Sequence, residues 1–393
     1  MSILAFFTIF ILILGILENY LHQQRIKKIP IRIHVNGIRG KSTTVRLIAA
    51  TLREAGYQVL AKTTGTTPRI ILENGEEESI KRRGPANIIE QKHFIKKAVK
   101  RRSNAIVMEC MAVHPETQWV SEHRIIKSTI GVITNVREDH QDVYGIDLEN
   151  IADSLKLTIP RNGVLVTAEQ KYFPLFQKQA QILNTQCILV EPEKITLTEN
   201  NESENTYFKD NVAITLQVGK ILNITEELCW QGILKAKPDP GALSIYQLKM
   251  GDKLLWFVNA FAANDRESIR LIWDKVNQLL PKDLMNSPKI AIINNRADRV
   301  TRTIQFAKIL SQDIVVNYIF LVGPTSPLCY RKLIQNGYPS KQIKLVRYKT
   351  KIKQTVEQIF QLIEKEGIVY GLGNTRGFGL AIMEYLQEKG EKI

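Results

Sequence analysis

Between Ile33 and Leu52 the chain reads IHVNGIRGKSTTVRLIAATL, a run that passes from strand-like alternation through two glycines and Lys-Ser-Thr-Thr into helically spaced apolar residues. A loop that grips phosphate needs backbone N–H groups converging at a helix N-terminus, a lysine for the β- and γ-phosphates and a hydroxyl for a divalent cation. Gly37, Gly40, Lys41 and Ser42 supply these, with Thr43 next in line and Arg39 in the turn. The common Gly-x-x-x-x-Gly-Lys-[Ser/Thr] spacing would put a glycine at position 35, where this chain has Val35. The stretch is therefore read as a variant nucleotide-binding loop, against the alternative of a plain strand-to-helix turn.

Two further stretches carry chemistry. Glu109 ends the apolar run AIVME, and in an open α/β sheet ligands sit at the carboxyl ends of strands. Beside a phosphate loop a carboxylate there reads as a Mg²⁺ ligand, because hard cations take oxygen donors. Asn135, Asp139, His140 and Asp142 cluster after the run IGVI, and His140 with its acidic neighbours is assigned a functional role.

The elements that must hold these residues follow from pattern. IPIRIHV, YQVLAKTTG, AIVMECMAV, IGVITNV and NGVLVTA read as strands, several apolar throughout, as expected where both sheet faces are covered. Helical patterns alternate with them, which predicts a doubly wound α/β domain. Between about 195 and 258 the texture changes, and NVAITLQV, CWQGILKA, LSIYQLKM and KLLWFVNAF read as a small antiparallel subsheet attached to this domain. A second α/β unit begins near PKIAIINN. The expected organisation is a membrane anchor over 1–22, an ATP-binding domain over 29–280 and a smaller C-terminal α/β domain over 281–393.

The anchor rests on ILAFFTIFILILGIL (Ile3 to Leu17), which has no charge and whose only polar residue is Thr8. A cleaved signal peptide wants a positive leading region and a small-residue cleavage site, and neither appears. Positive charge instead follows the segment at Arg25, Lys27, Lys28 and Arg32, which predicts a single pass with the remainder in the cytoplasm. The 54 Lys and Arg exceed the 39 Asp and Glu, a net charge of +15, which suits an anionic partner, substrate or membrane surface. No basic stripe interleaved with aromatics supports nucleic-acid binding. The four cysteines are widely spaced, without a Cys-x-x-Cys pair, so neither a zinc site nor a disulfide framework is indicated.

GIRGKST, MECMAV and TNVREDHQD together resemble the Mur ligase superfamily, which includes folylpolyglutamate synthetase and uses a Gly-Thr-x-Gly-Lys-[Thr/Ser]-Thr version of the loop. More closely, NGIRGKSTT, TTGTTPR, RRGPANI, ECMAV and TNVREDH, together with the short apolar N-terminus, resemble the ligase subunits of bacterial poly-γ-glutamate synthases (the PgsB or CapB type). The resemblance implies a Mur-ligase-like ATP-binding fold and an ATP-dependent amide ligase that extends poly-γ-glutamate for a capsule or secreted polymer. Lys41 would bind the phosphates, Ser42 and Glu109 one Mg²⁺ (with Mn²⁺ able to substitute), and His140 a second. Asn264 would lie near the adenine. Lys156, sixteen residues beyond His140, matches in position a lysine that many Mur ligases carbamylate; an ordinary helix-surface lysine is the equal alternative.

Substrate carboxylates are assigned to Arg69, Arg82 and Arg83 in the turn-rich stretches, and to Arg296, Arg299 and Arg376 in the C-terminal region. The motif GLGNTRGFG (371–379) lacks dinucleotide spacing and reads as a backbone nest for an anion. Implied partners are glutamate, the polymer chain and membrane subunits of a synthesis and export complex at the bacterial cell membrane, with homo-oligomers allowed and no nucleic acid. Mur ligases proper carry a separate N-terminal domain for a nucleotide-sugar substrate, and only the apolar segment precedes the loop here, which argues against cell-wall precursor ligation. The competing functions are another acid–amino-acid ligase of the folylpolyglutamate type and a P-loop ATPase that powers export without making a bond.

Overall fold

The structure is a computed structural model that describes residues 3–65, 68–82, 84–139, 141–145, 147–195, 208–239, 242–263, 265–346 and 351–393. The chain divides into two compact units, 1–239 and 240–393.

In the first unit eight strands form one sheet: β1 (Ile31–Asn36), β2 (Val59–Thr63), β3 (Arg69–Ile71), β4 (Glu77–Ser79), β5 (Ala105–Glu109), β6 (Ile130–Ile133), β7 (Val164–Thr167) and β8 (Gln186–Leu189). Their order is β4-β3-β2-β5-β1-β6-β7-β8, parallel from β2 to β8, with β3 and β4 added antiparallel at one edge. Parallel strands carry helices on both faces, and Ile33, Val35, Val107 and Val132 are accordingly buried in one core with Val45, Ile48 and Leu52 of the helix Lys41–Glu54. This is the expected doubly wound arrangement. Its antiparallel part is the β2–β3–β4 corner rather than residues 195–258.

Two segments of 195–258 are helices, Lys209–Ile221 and Glu226–Lys235. The first is rich in β-branched residues, but Val212, Ala213 and Ile214 are buried by packing on the helix Lys41–Glu54, and tertiary contact overrides propensity. The second begins with a cap that strand patterning overlooks. Thr225 Oγ1 accepts from the Leu228 N–H at 3.4 Å, and Glu226 and Glu227 occupy the first turn.

The remaining pair, β9 (Ser244–Met250) and β10 (Lys253–Asn259), is a hairpin of the second unit. There β11 (Lys289–Asn294), β12 (Tyr318–Val322), β13 (Ile343–Val346), β14 (Glu366–Gly373) and β15 (Glu391–Lys392) complete a sheet ordered β13-β12-β11-β14-β10-β9-β15. Because β10 pairs with β14 over six residues, from Leu254–Glu366 to Asn259–Gly371, the hairpin belongs to this core, and the division falls at 239/240 instead of near 281.

The N-terminal helix runs from Ile3 to Lys27, ten residues beyond the uncharged stretch, and is long and apolar enough to cross a membrane. Its large apolar side chains from Ile3 to Leu21 are exposed, whereas His22 and Ile26 are buried in the first unit. Ile26 joins a core with Phe94, Ile95 and Ala98, and His22 Nε2 lies 2.8 Å from the Ile125 carbonyl oxygen. Deleting residues 1–20 spares both rooting residues, so the truncated chain should keep the full-length unfolding midpoint in the same detergent. Ile26→Ala should lower unfolding free energy by about 2–4 kcal/mol through the cavity it leaves, as measured by urea titration.

Candidate active site

The phosphate-type loop leaves β1 and enters the helix Lys41–Glu54 through two glycines with positive φ, Gly37 at 117° and Gly40 at 81°. A Cβ on Gly37 would lie 2.1 Å from Thr134 Oγ1, and one on Gly40 would lie 2.5 Å from Asn211 Oδ1, so neither position accepts a side chain. The segment after β6 braces the loop. The Arg39 N–H donates to Asn135 Oδ1 at 3.0 Å, Asn135 Nδ2 donates to the Arg39 carbonyl at 3.1 Å, and Thr134 Oγ1 donates to the same carbonyl at 2.6 Å. The Arg39 guanidinium pairs with Asp139 at 3.1 Å. Lys41 folds over the loop, its Nζ donating to the carbonyls of Gly37 (2.8 Å) and Ile38 (3.3 Å). Ser42 and Thr43 follow in the first turn, where backbone N–H groups have no intrahelical acceptor.

Glu109 ends β5, beside the loop, because β1 and β5 pair in parallel with Val35 opposite Glu109. Its Oε2 accepts from Ser42 Oγ at 2.8 Å and from the Thr64 N–H at 2.7 Å, and Oε1 has no hydrogen-bond partner among the described residues. A buried carboxylate touching the loop hydroxyl is an oxygen-only donor set, which fits a hard cation such as Mg²⁺. Among the described residues no group of three or more His, Cys, Asp or Glu gathers as a metal cage, and Mg²⁺ commonly uses one or two carboxylates with substrate phosphates.

Behind the loop lies a buried polar layer. Asn36 Nδ2 donates to Gln118 Oε1 (2.9 Å) and Thr158 Oγ1 (3.1 Å), and Gln118 Nε2 donates to Tyr144 Oη (2.8 Å) and Ser154 Oγ (2.9 Å). Fully buried His34 sets Nδ1 2.8 Å from Glu122 Oε2, while the Ser128 N–H and hydroxyl donate to Glu122 Oε1. Burial disfavours the charged ring, but the Cys110 sulfur and the Glu122 carboxylate outweigh it and raise its pKa to about 10.

The structure thus brings Gly37, Arg39, Gly40, Lys41, Ser42, Thr43 and Glu109 to one sheet edge. Lys156 follows the helix Leu148–Leu155, with Nζ 2.5 Å from Asp153 Oδ1. Arg69 lies on β3 with Nε 3.8 Å from Glu77, and Arg82 pairs with Glu90 at 2.6 Å. His140, Asn264 and Arg83 lie outside the described residues.

In the second unit the loops after β11 and β14 interlock. Asn294 Nδ2 donates to the carbonyls of Asn374 (2.5 Å) and Arg376 (2.8 Å), and Arg302 Nη1 donates to Asn374 Oδ1 at 3.4 Å. Arg296, Arg299 and Arg376 therefore share the carboxyl edge of that sheet, with Arg296 paired to Asp298 at 2.6 Å. Arg302, Asn294, Asn211 and Lys62 were not singled out from sequence. A lysine inside the otherwise buried strand VLAKT is the signal that would have found Lys62.

Two family models match the chain: the Mur ligase middle domain over residues 35–227 and the poly-γ-glutamate synthase CapB C-terminal domain over 245–389. The chain is 40% identical over 385 residues to PGA synthase CapB of Bacillus subtilis (strain 168), covering 96% of this chain and 95% of that protein. It is 37% identical over 393 residues to the capsule biosynthesis protein CapB of Bacillus anthracis, covering 98% of this chain and 83% of that protein. The chain belongs to the CapB family of poly-γ-glutamate synthases. Its fold is also that of a bifunctional folylpolyglutamate synthase/dihydrofolate synthase solved with Mn, AMPPNP and L-glutamate, at a TM-score of 0.68 and 17% identity over 94% of this chain and 92% of that one. As a member of the Mur ligase group it is an ATP-dependent amide ligase.

Lys41→Ala and Ser42→Ala, which strip the loop of its cation and of the hydroxyl bonded to Glu109 without touching the core, should each reduce ATP-dependent ligation by about 10²-fold or more. Their thermal unfolding should match the wild type; normal product yield from either folded variant would defeat the site. The His34 pair makes a separate prediction. Its folded pKa lies above the unfolded value of about 6.5, so the stabilisation is complete below that pH and is lost as pH rises towards about 10. Urea midpoints should fall across that window, and His34→Gln should flatten the dependence.

Proposed function

We propose that this chain joins glutamate units through γ-amide bonds by way of a γ-glutamyl acyl phosphate. What supports the reading is the contact of Ser42 and Glu109 at the mouth of the loop, in a chain whose relatives are named for poly-γ-glutamate synthesis. A carboxylate is a poor electrophile. Its oxygen attacks the γ-phosphorus of ATP and ADP departs; the incoming amine then adds to the acyl carbon and phosphate leaves with the C–O bond pair. In this scheme Lys41 exchanges its loop carbonyls for β- and γ-phosphate oxygens, and the N–H groups of the first helical turn donate to phosphate. Ser42 and Glu109 would hold Mg²⁺ or Mn²⁺, with His140 serving a second ion; the metal, when bound, draws charge from the phosphoryl oxygens.

Arg39, which pairs with Asp139 beside the loop, would add positive charge at the phosphates on exchanging that partner for a phosphate oxygen. Asn264 is assigned to the adenine, and Arg296, Arg299 and Arg376 to substrate carboxylates. Carbamylation of Lys156 would replace its ammonium by two metal-binding oxygens, whereas the unmodified group pairs with Asp153. In this reading the enzyme is a single-pass protein of the bacterial membrane with its catalytic units in the cytoplasm, next to membrane subunits that take over the polymer; the exposed apolar side chains of the helix Ile3–Lys27 and the basic residues at its end support it. Homo-oligomers are compatible with this scheme.

The test is incubation of the full chain, purified with its membrane partners, with ATP, Mg²⁺ and L- or D-glutamate, followed by product mass analysis. A ladder spaced by one dehydrated glutamate, formed together with ADP, is expected. ADP and phosphate released without any amide product would instead identify an export ATPase.

A further inference from the structure

The first unit contains a cavity of about 520 Å³ whose use the ligase scheme leaves open. Among the described residues four cations line it, Lys62, Lys81, Arg82 and Lys97, against one carboxylate, Glu90. Lys62 is its most buried charge, 1% exposed on β2, with Nζ 3.5 Å from Glu90 Oε2 and 3.5 Å from Met111 Sδ. The same Glu90 also accepts from Arg82, Nε at 2.6 Å and Nη2 at 3.1 Å, so one carboxylate serves two cations. Lys97 pairs with Glu78 of β4, and Lys81 is exposed and makes no ion pair among the described residues. Burial pulls the pKa of Lys62 below its ordinary value against the opposing pull of Glu90. Among the described residues the site is short of anions.

Its walls between the cations are apolar, formed by Ile70, Ile80 and Phe94. That alternation of apolar wall and fixed positive charge matches one chemistry in particular. A γ-linked glutamate chain repeats two methylenes and a pendant carboxylate at every residue, so it offers both kinds of surface along its whole length. A nucleotide or a single amino acid offers neither repeatedly. The volume lies within the roughly 300–1,000 Å³ typical of ligand pockets. The position also fits, because Lys62 pairs in register with Met108 on β5, and Glu109 is the next residue along that strand. Lys62 and Glu109 leave opposite faces of the sheet on neighbouring strands near its carboxyl edge, close enough for Glu109 to act electrostatically on Lys62, and the loop after β1 lies one strand further on.

We propose that this cavity is the subsite for the polymer, holding consecutive γ-glutamyl residues of the chain while its end lies at the phosphate loop. The inference rests on the ligase reading above and adds that acceptor length is sensed in the first unit, by Lys62, Lys81, Arg82 and Lys97.

The test uses the full chain in detergent and a fluorescent γ-linked glutamate oligomer, with binding read by anisotropy and AMPPNP binding measured in parallel. Lys81→Glu alone, and Lys81→Glu with Lys97→Glu, are compared with Lys178→Glu plus Lys220→Glu, two exposed lysines of the same unit outside the cavity. Oligomer affinity should fall about threefold or more in the single variant and about tenfold or more in the double, with a weaker salt dependence, while AMPPNP binding and the unfolding midpoint hold. Products of the double variant should be shorter than those of the wild type. Oligomer binding unchanged in both cavity variants, or lost equally in the control, overturns the assignment even where the wild type polymerises glutamate. A wild type that forms no amide bond from glutamate overturns the ligase reading itself, and this inference with it.

Discussion

Because β1 pairs in parallel with β5 on one side and β6 on the other, three distant segments leave the sheet at the same edge. Everything at the site depends on that pairing. The register that sets Val35 against Glu109 brings the carboxylate within 2.8 Å of Ser42, and the register that sets Asn36 against Ile133 delivers Thr134 and Asn135 to the loop backbone. A slip of one residue would turn Glu109 to the opposite face and leave the loop unbraced. The glycines then follow from crowding: with Thr134 packed against Gly37 and Asn211 against Gly40, the backbone passes where no side chain fits.

The polar layer beneath the loop explains how the edge stays rigid. Asn36, Gln118, Tyr144, Ser154 and Thr158 bond one another inside the fold, and His34 with Glu122 adds a buried charge pair whose ring Nε2 has no hydrogen-bond partner among the described residues. Such groups are costly unless every partner is in place, so they specify one arrangement of β1 and the helical segment 115–126 below it. Catalysis by charge stabilisation needs donors fixed before the reaction starts, and the linked bonds of Asn36 and Gln118 beneath the loop help to fix them. Arg46, 3% exposed, does the same work on the other side of the helix Lys41–Glu54, binding Glu77 and lying 3.4 Å from Asp239.

The second unit repeats the same principle with a different edge. Parallel β11, β12 and β14 each end in a turn leading to a helix, and Asn294 ties two of those turns together through backbone carbonyls. Its arginines gather there because the strands that precede them are neighbours in the sheet. The N-terminal helix is likewise defined by what it touches: its last turns are part of the first unit's core, through His22 and Ile26, while the apolar remainder stands clear of the protein.

From sequence alone, the glycine turn that enters the helix at Lys41, the place of Glu109 at a strand end, the apolar helix, the parallel α/β class and the family were all legible. Each depends on local signals: glycine and lysine spacing, an acid at the end of an apolar run, an uncharged stretch, and buried strands alternating with helices. What stayed hidden was non-local. Residues 209–235 look like strands by residue type and are helical because they pack on the helix Lys41–Glu54, and the hairpin Ser244–Asn259 joins the second sheet because β14 lies beside it. Lys62 is unremarkable within VLAKT until burial and Glu90 give it meaning. The covalent sequence determined which groups were available and where short elements begin. Only the tertiary structure decided which strands became neighbours, since pairing energy and burial depend on partners far along the chain.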